Sequence, residues 1–354
     1  MELFSRKKLP LVGLDISTSS VKVLELTKAQ NQYRVERFAV EPLPQNAIVE
    51  RAIADIEQVS TAVDRAIKRS GAKTRRVAVA VSATQAISKT LRVSAEFTET
   101  EIQTQVELDA EHHIPYPLDE VNLDFQVLGP APDSPGEVDV LMVACRKEVV
   151  DDYVAVVQAR GYQPVIVDVE TYAVENAYGL IAEQMAGGGM EKTVAIFDVG
   201  ATTTVINVMH NRRSVYSRTS SFGGRQLTEE VQRRYGLSYD EAGLAKRQGG
   251  LPDSYQSEVL RPFMEAMGQE IIRALQFFYA ASPFNKVDVV LLAGGCAQIP
   301  GIDKLLGARL GVPTMIANPF AGMTLSSRIK PQIFASEAPS LMVGCGLALR
   351  GLDL

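Results

Sequence analysis

Alternating apolar and polar positions mark three consecutive strands near the start of the chain, at 11–15, 21–27 and 33–41, with Val21 and Val23, then Tyr33 and Val35, on single faces. Between Asp55 and Arg69 the period changes. Ile56, Val59, Val63 and Ile67 recur every three or four residues and predict a helix with one apolar face. A buried strand follows at 77–81, and after a long interruption another at 165–168 runs into a helix at 171–184. The second half repeats the series. Strands at 194–198, 203–209 and 214–219 precede a helix at 225–235, a further helical stretch, a buried strand at 287–292, a helix at 302–310 and a short strand at 313–316. Two copies of a three-strand meander with helical crossovers predict a duplicated α/β protein with a cleft between its halves.

The interruption, residues 86–161, has its own pattern: a strand at 89–93, a helix at 99–113, strands at 122–128 and 138–144, and a helix at 148–160. It reads as a small inserted α+β module that either carries partner contacts or extends the scaffold. The expected organisation is a first unit made of 1–85 and 162–190, the insert between them, a second unit at 191–335 with 220–282 as its helical subdomain, and a C-terminal helix at 336–354 returning to the first unit. Gly187 to Gly189 form either a hinge or a plain linker between halves.

Composition narrows the function classes. With 354 residues the chain is long enough for two units with a sizeable core, and a net charge of −6 with dispersed Lys and Arg argues against a nucleic-acid stripe. The basic start, MELFSRKKLP, has no signal-peptide core, and no uncharged apolar run long enough to cross a bilayer is evident. Cys145, Cys296 and Cys345 are odd in number and widely spaced, which suits a reducing cytoplasm. His112, His113 and His210 lack metal-ligand spacing and read as surface histidines.

The chemistry lies in two turns. LVGLDISTSSVKVLEL and VAIFDVGATTTVINVM align without gaps on Asp15 and Asp198, and both read D-x-[SG]-x-[ST]-[ST]. Each offers a carboxylate, hydroxyls and closely approachable amides, either as a phosphate cradle or as an ordinary hairpin satisfying its own backbone. Lys22, seven positions after Asp15, is placed to reach a phosphate oxygen, and Asp15 and Asp198 are placed to hold Mg²⁺ through water. Two such hairpins on matching strands favour a clamp that grips phosphates from both sides. Gly294 and Gly295 follow a buried strand and allow a flat ring against bare backbone, while Gly223 and Gly224 precede a helix N-terminus.

As a set, these elements resemble the signature of the actin-like ATPase superfamily, which implies duplicated actin-like (ribonuclease H-like) domains around a nucleotide cleft. Within it, VGLDISTSSVKVLEL, VEPLPQNAIVE, AEHHIPYPLDEVNLDF, VLMVACRKE, VDVETYAVENAYGL and EAGLAKRQGGLPDSY resemble the type IV pilus assembly PilM family. The resemblance implies ATP and Mg as ligands. It places Asp15, Ser17, Thr18, Ser19, Ser20 and Lys22 in a first phosphate element and Asp198, Gly200, Ala201, Thr202 and Thr203 in a second. It also places Gly223 and Gly224 toward the ribose, Lys246 toward the adenosine, and Gly294, Gly295 and Cys296 beside the base. Gly243 stands where MreB-like relatives carry a glutamate, which weakens the ribose contact. The implied partner is the cytoplasmic N-terminal segment of PilN, in a groove between the first unit and the insert. The chain ends without the amphipathic anchor of FtsA, so the expected location is the cytoplasmic face of the inner membrane, reached through partners.

Whether the chain is an enzyme stays open at this level. Hydrolysis needs a group that positions water, for which Glu170 and then Asp168 are the candidates; alternatively either acid caps the helix that follows. A nucleotide-gated interaction protein with slow or no turnover is the expected function. A small-molecule kinase or a filament-forming cytoskeletal ATPase of the same fold is the alternative.

Overall fold

A computed structural model describes residues 10–30, 32–131 and 133–353; the basic start and the final residue of the C-terminal helix expectation lie outside them. In the first half, β1 (Val12–Ile16), β2 (Ser20–Ala29) and β3 (Gln32–Pro42) form an antiparallel meander. A short ribbon, β4 (Ile48–Val49) with β5 (Ala52–Ile53), leads into α1 (Ile56–Ser70) and β6 (Arg76–Val81). The α1 helix forms for local reasons: Asp55 caps its first turn by accepting from the Gln58 amide, and Gly71 ends it in the left-handed conformation.

The interruption contains β7 (Ala86–Ser94), α2 (Glu99–His113), β8 (Val121–Pro130), β9 (Glu137–Arg146) and α3 (Lys147–Gln158). Its strands pair antiparallel in the order β7-β9-β8, and α2 closes their inner face with Ile102, Val106 and Ala110. The α3 helix departs from the expected module. Its Val149, Tyr153, Val156 and Val157 are buried with Val59, Val63 and Ala66 of α1, because its apolar stripe faces the larger sheet. The chain then enters β10 (Gln163–Val169) and α4 (Glu170–Ala182).

The second half holds β11 (Thr193–Val199), β12 (Thr204–His210), β13 (Arg213–Ser220), α5 (Gly224–Tyr235), α6 (Tyr239–Gln248), α7 (Arg261–Ala281), β14 (Val289–Ala293), α8 (Ile302–Leu310) and β15 (Thr314–Ile316). The chain closes with β16 (Thr324–Leu325), α9 (Pro331–Glu337) and α10 (Met342–Asp353). The large sheets run β10-β6-β1-β2-β3-β16 and β13-β12-β11-β14-β15. Read outward from β1 and β11, both have an antiparallel meander on one side and parallel strands on the other, so the duplication extends to topology.

The two sheets share one core. Leu24, Ala78, Ala173, Tyr178, Val194, Ile196, Leu291 and Leu347 are buried together where α4 and α10 pack between the sheets. Close approach sets this packing: a Cβ on Gly346 would lie 1.7 Å from the Ala173 carbonyl oxygen, and one on Gly13 would lie 2.4 Å from that of Gly344. The helical run Pro331–Leu352 is long and apolar enough to cross a membrane by length and composition, although Glu337 and Arg350 interrupt it, and 72% of its most apolar window is buried inside the protein. Its apolarity is explained by two-sided packing in the core.

Candidate functional site

Buried apolar residues along β1 hold it between β2 and β6, and Asp15 emerges near its end, 4% exposed. The ladder sets Asp15 opposite Lys22 on β2, and the Lys22 Nζ lies 2.8 Å from the Asp15 carboxylate. In the turn between them the Ser17 amide donates to the Ser20 carbonyl at 3.0 Å, and the Ser17 hydroxyl donates to the same oxygen at 2.9 Å. The Ser19 carbonyl accepts from the Leu43 amide, which ties the turn to the end of β3. At the matching place in the second hairpin the Gly200 amide donates to the Thr203 carbonyl at 2.9 Å. The sequence alignment of the two turns is therefore also an alignment of their hydrogen bonds. Their tips meet: the hydroxyls of Thr18 and Thr202 are 3.1 Å apart.

Charge is concentrated at this junction. Burial works to lower the Lys22 ammonium, but Asp15, Asp198 and Glu170 outweigh it and hold the group above its ordinary value. Asp198 is partly exposed, yet protein surrounds its carboxyl closely. Burial raises its pKa, with Lys22 and Arg51 opposing and Asp15 adding to the rise. Glu170, whose side chain is 15% exposed, is likewise raised by burial against the pull of Arg51.

Arg51 was not anticipated. From the corner of the β4–β5 ribbon its guanidinium donates to the Thr203 hydroxyl at 2.6 Å, to Ser82 at the end of β6, and to Glu170 at the start of α4. Glu170 shares this junction, where it is the ion-pair partner of Arg51. Asp168 does not join it. Its carboxylate lies 3.2 Å from Arg350 of α10 and accepts from the Val169 amide; β10 ends at Val169 and Glu170 already belongs to α4, so strand periodicity does not carry the two acids to one place. Asp168 is thus withdrawn as a candidate for positioning water.

On the other side of the second hairpin, glycines permit contacts that side chains would prevent. A Cβ on Gly294, whose φ is 84°, would meet Asp198 Oδ1 and the Val199 carbonyl oxygen at 2.5 Å, whereas Gly295 has open space around it. A Cβ on Gly223 would meet the Ala201 carbonyl oxygen at 2.5 Å. The first amides of α5 are partly committed: Gly224 donates to the Gly200 carbonyl and Arg225 to the Ala201 carbonyl, so α5 braces the hairpin. Lys246, on α6, reaches back to the Gly224 carbonyl and, at 2.6 Å, to the Thr228 hydroxyl, and burial lowers its pKa. Cys296 is buried behind the hairpin, its thiol pushed up to about 11 by burial, which makes it a packing group rather than a nucleophile.

Three carboxylates, Asp15, Asp198 and Glu170, outnumber the two cations here, Lys22 and Arg51, and burial raises the pKa of two of them, Asp198 and Glu170. A bare polyphosphate would be repelled by that excess. A Mg²⁺-bearing one fits, since hard oxygen ligands suit the metal and the two cations suit the phosphates. Among the described residues no cluster of three His, Cys, Asp or Glu side chains forms a complete metal site, so any such ion would rely on water and phosphate oxygens as well. The histidines stand apart: His113 contacts Lys89 and the Asp109 carbonyl, and His210 lies 3.2 Å from the Thr193 hydroxyl.

A sequence model of the type IV pilus assembly protein PilM matches residues 13–352. Among solved structures, the PilM–PilN type IV pilus biogenesis complex is similar over 98% of this chain and 100% of that one, with 25% identity and a TM-score of 0.82. MreB5 of Spiroplasma citri bound to ADP is 14% identical, covers 96% and 95%, and has a TM-score of 0.51. An archaeal actin homolog is 12% identical, covers 98% and 100%, and has a TM-score of 0.50. These last two support the fold alone, which is actin-like, as the duplicated sheets lead one to expect.

Proposed function

The chain belongs to the type IV pilus assembly PilM family, and from that premise we propose that it binds Mg-ATP between its two hairpins and holds the cytoplasmic N-terminal segment of PilN. The observation that carries the nucleotide half is the convergence of Asp15, Lys22, Asp198 and the Thr18–Thr202 contact at one point between the sheets. ATP at millimolar concentration and micromolar affinity stabilises the bound state by about 4 kcal/mol, enough to bias a modest conformational equilibrium. In this reading nucleotide binding does the work and turnover is slow or absent; in the ligand-free chain Glu170 is paired with Arg51. Calorimetry tests this reading: Lys22→Ala loses about 1.5–3 kcal/mol of Mg-ATP affinity through lost charge-assisted hydrogen bonds, and unchanged binding sinks the assignment.

The partner half rests on a groove of about 310 Å³ between the β4–β5 ribbon and the β9–α3 corner, walled by Ala52, Ile53, Gln85, Glu148, Val149 and Tyr153. Its lining mixes apolar Ala52, Ile53 and Val149 with charged Arg146, Glu148 and Asp152, which suits a short peptide with both apolar and charged residues. Through this segment the protein sits at the cytoplasmic face of the inner membrane. A peptide of the PilN N-terminal segment should bind the full chain and lose at least tenfold in affinity to Ile53→Glu, which buries a charge in the groove. Equal binding to both would place the peptide elsewhere.

A further inference from the structure

The ribbon that walls the groove bears an arginine where its backbone disfavours any side chain. Val49 pairs with Ala52, so Glu50 and Arg51 are the two corner residues, with φ of 49° and 67°. Two-residue hairpins of this kind favour Asn and Gly, because a Cβ crowds the backbone at positive φ. A residue held in so sparsely populated a conformation points to a use for its side chain. At Arg51 that use is visible. All three guanidinium nitrogens are engaged, each with a different element: Ser82 after β6, Glu170 on α4 and Thr203 in the second hairpin.

We propose that Arg51 reads the terminal phosphate of a bound nucleotide, so that the cleft selects a triphosphate over a diphosphate. The proposal rests on the nucleotide reading given above. Among these contacts Glu170 is the anionic one, and the guanidinium lies beside Thr203, at the tip of a hairpin assigned to the phosphates. A terminal phosphate brings more charge than one carboxylate and matches the planar fork of a guanidinium in two-point contact. On its arrival Arg51 exchanges Glu170 for phosphate oxygens. A diphosphate is one phosphoryl group shorter and leaves the Arg51–Glu170 pair in place. The same corner continues directly into Ala52 and Ile53 of the groove, so the exchange also moves a wall of the partner site. By linkage, a peptide in the groove then changes triphosphate affinity by the factor with which the triphosphate changes its own.

The test is calorimetry on the full chain with Mg-ATP and Mg-ADP, comparing wild type, Arg51→Gly and Arg51→Lys. Glycine relieves the backbone at the corner but leaves Glu170 unpaired, so urea unfolding of each variant accompanies the titrations, and retained Mg-ADP binding is the control for an intact cleft. Arg51→Gly is expected to weaken Mg-ATP about tenfold or more while Mg-ADP stays within about twofold, with Arg51→Lys in between. Equal losses for both nucleotides, or no change in either, overturn the proposal and leave the nucleotide reading intact. A wild-type chain that binds neither nucleotide overturns both.

Discussion

At the first hairpin Asp15 faces Lys22 across the ladder, whereas at the matching place in the second Asp198 faces Val205. The turns share their closing hydrogen bond and their run of hydroxyls, yet only one has a cation of its own. Asp198 depends on Lys22 and Arg51, both from the first half of the chain, and its pKa is raised by burial despite them. The second half supplies instead the glycines and braced carbonyls that allow close approach. Duplication has thus kept the backbone and divided the chemistry: cations on one wall, bare backbone on the other. Neither wall alone is suited to a metal-bound polyphosphate.

The largest effect is expected where that division is broken outright. Lys22→Met leaves Asp15 and Asp198 without their shared ammonium and should lower the stability of the ligand-free chain by about 3–5 kcal/mol in urea unfolding. A loss under ~1 kcal/mol would mean that the cleft is wetter than its burial indicates. Next comes the close-approach wall. Gly294→Ala sets a Cβ against Asp198 and Val199 at positive φ and should cost about 2–3 kcal/mol, while Gly295→Ala, with open space, stays within about 0.5 kcal/mol. Similar losses at the two glycines would refute the wall.

Asp198 sharpens the comparison through its sign. Asp198→Asn should raise ligand-free stability by about 0.5–2 kcal/mol at neutral pH while abolishing Mg-dependent nucleotide binding, the trade expected of a site residue. The gain should depend on pH. Because the folded carboxyl is raised above its ordinary value of 3.8, the folded chain holds more protons than the unfolded one between that value and the raised one. Wild-type stability therefore falls relative to the variant as pH rises through the window, then levels off. A difference that stays flat with pH would show that Asp198 is not strained by burial. The smallest effect belongs to the contact between tips: Thr18→Ala and Thr202→Ala should each cost about 0.5–1 kcal/mol, and the double variant little more than either.

Much of this was legible from local pattern. The predicted helices at 99–113 and 302–310 coincide with α2 and α8, and the paired aspartates lie at matching strand ends because strand alternation and turn chemistry are short-range. Arg51 was not legible. It lies in the charged stretch VERAI, some distance in sequence from both hairpins, and its only local signal is a Glu-Arg pair at a corner that prefers Asn-Gly. Asp168 misled for the converse reason. In sequence it is two residues from Glu170, but the change from strand to helix between them and the pairing with Arg350 of a distant helix separate the two acids. The α3 helix misled likewise, since its apolar stripe says that it packs without saying on which sheet.

The order of elements, the duplication and the chemistry of each turn were set by residues near one another in the chain, where backbone propensity and spacing act directly. Which groups share the cleft was decided only by tertiary packing. Burial and long-range charge, not spacing, join Arg51 to Glu170 and Thr203, pair Asp168 with Arg350, and give one lysine to two aspartates. Those terms depend on distances in space that no local window of sequence contains.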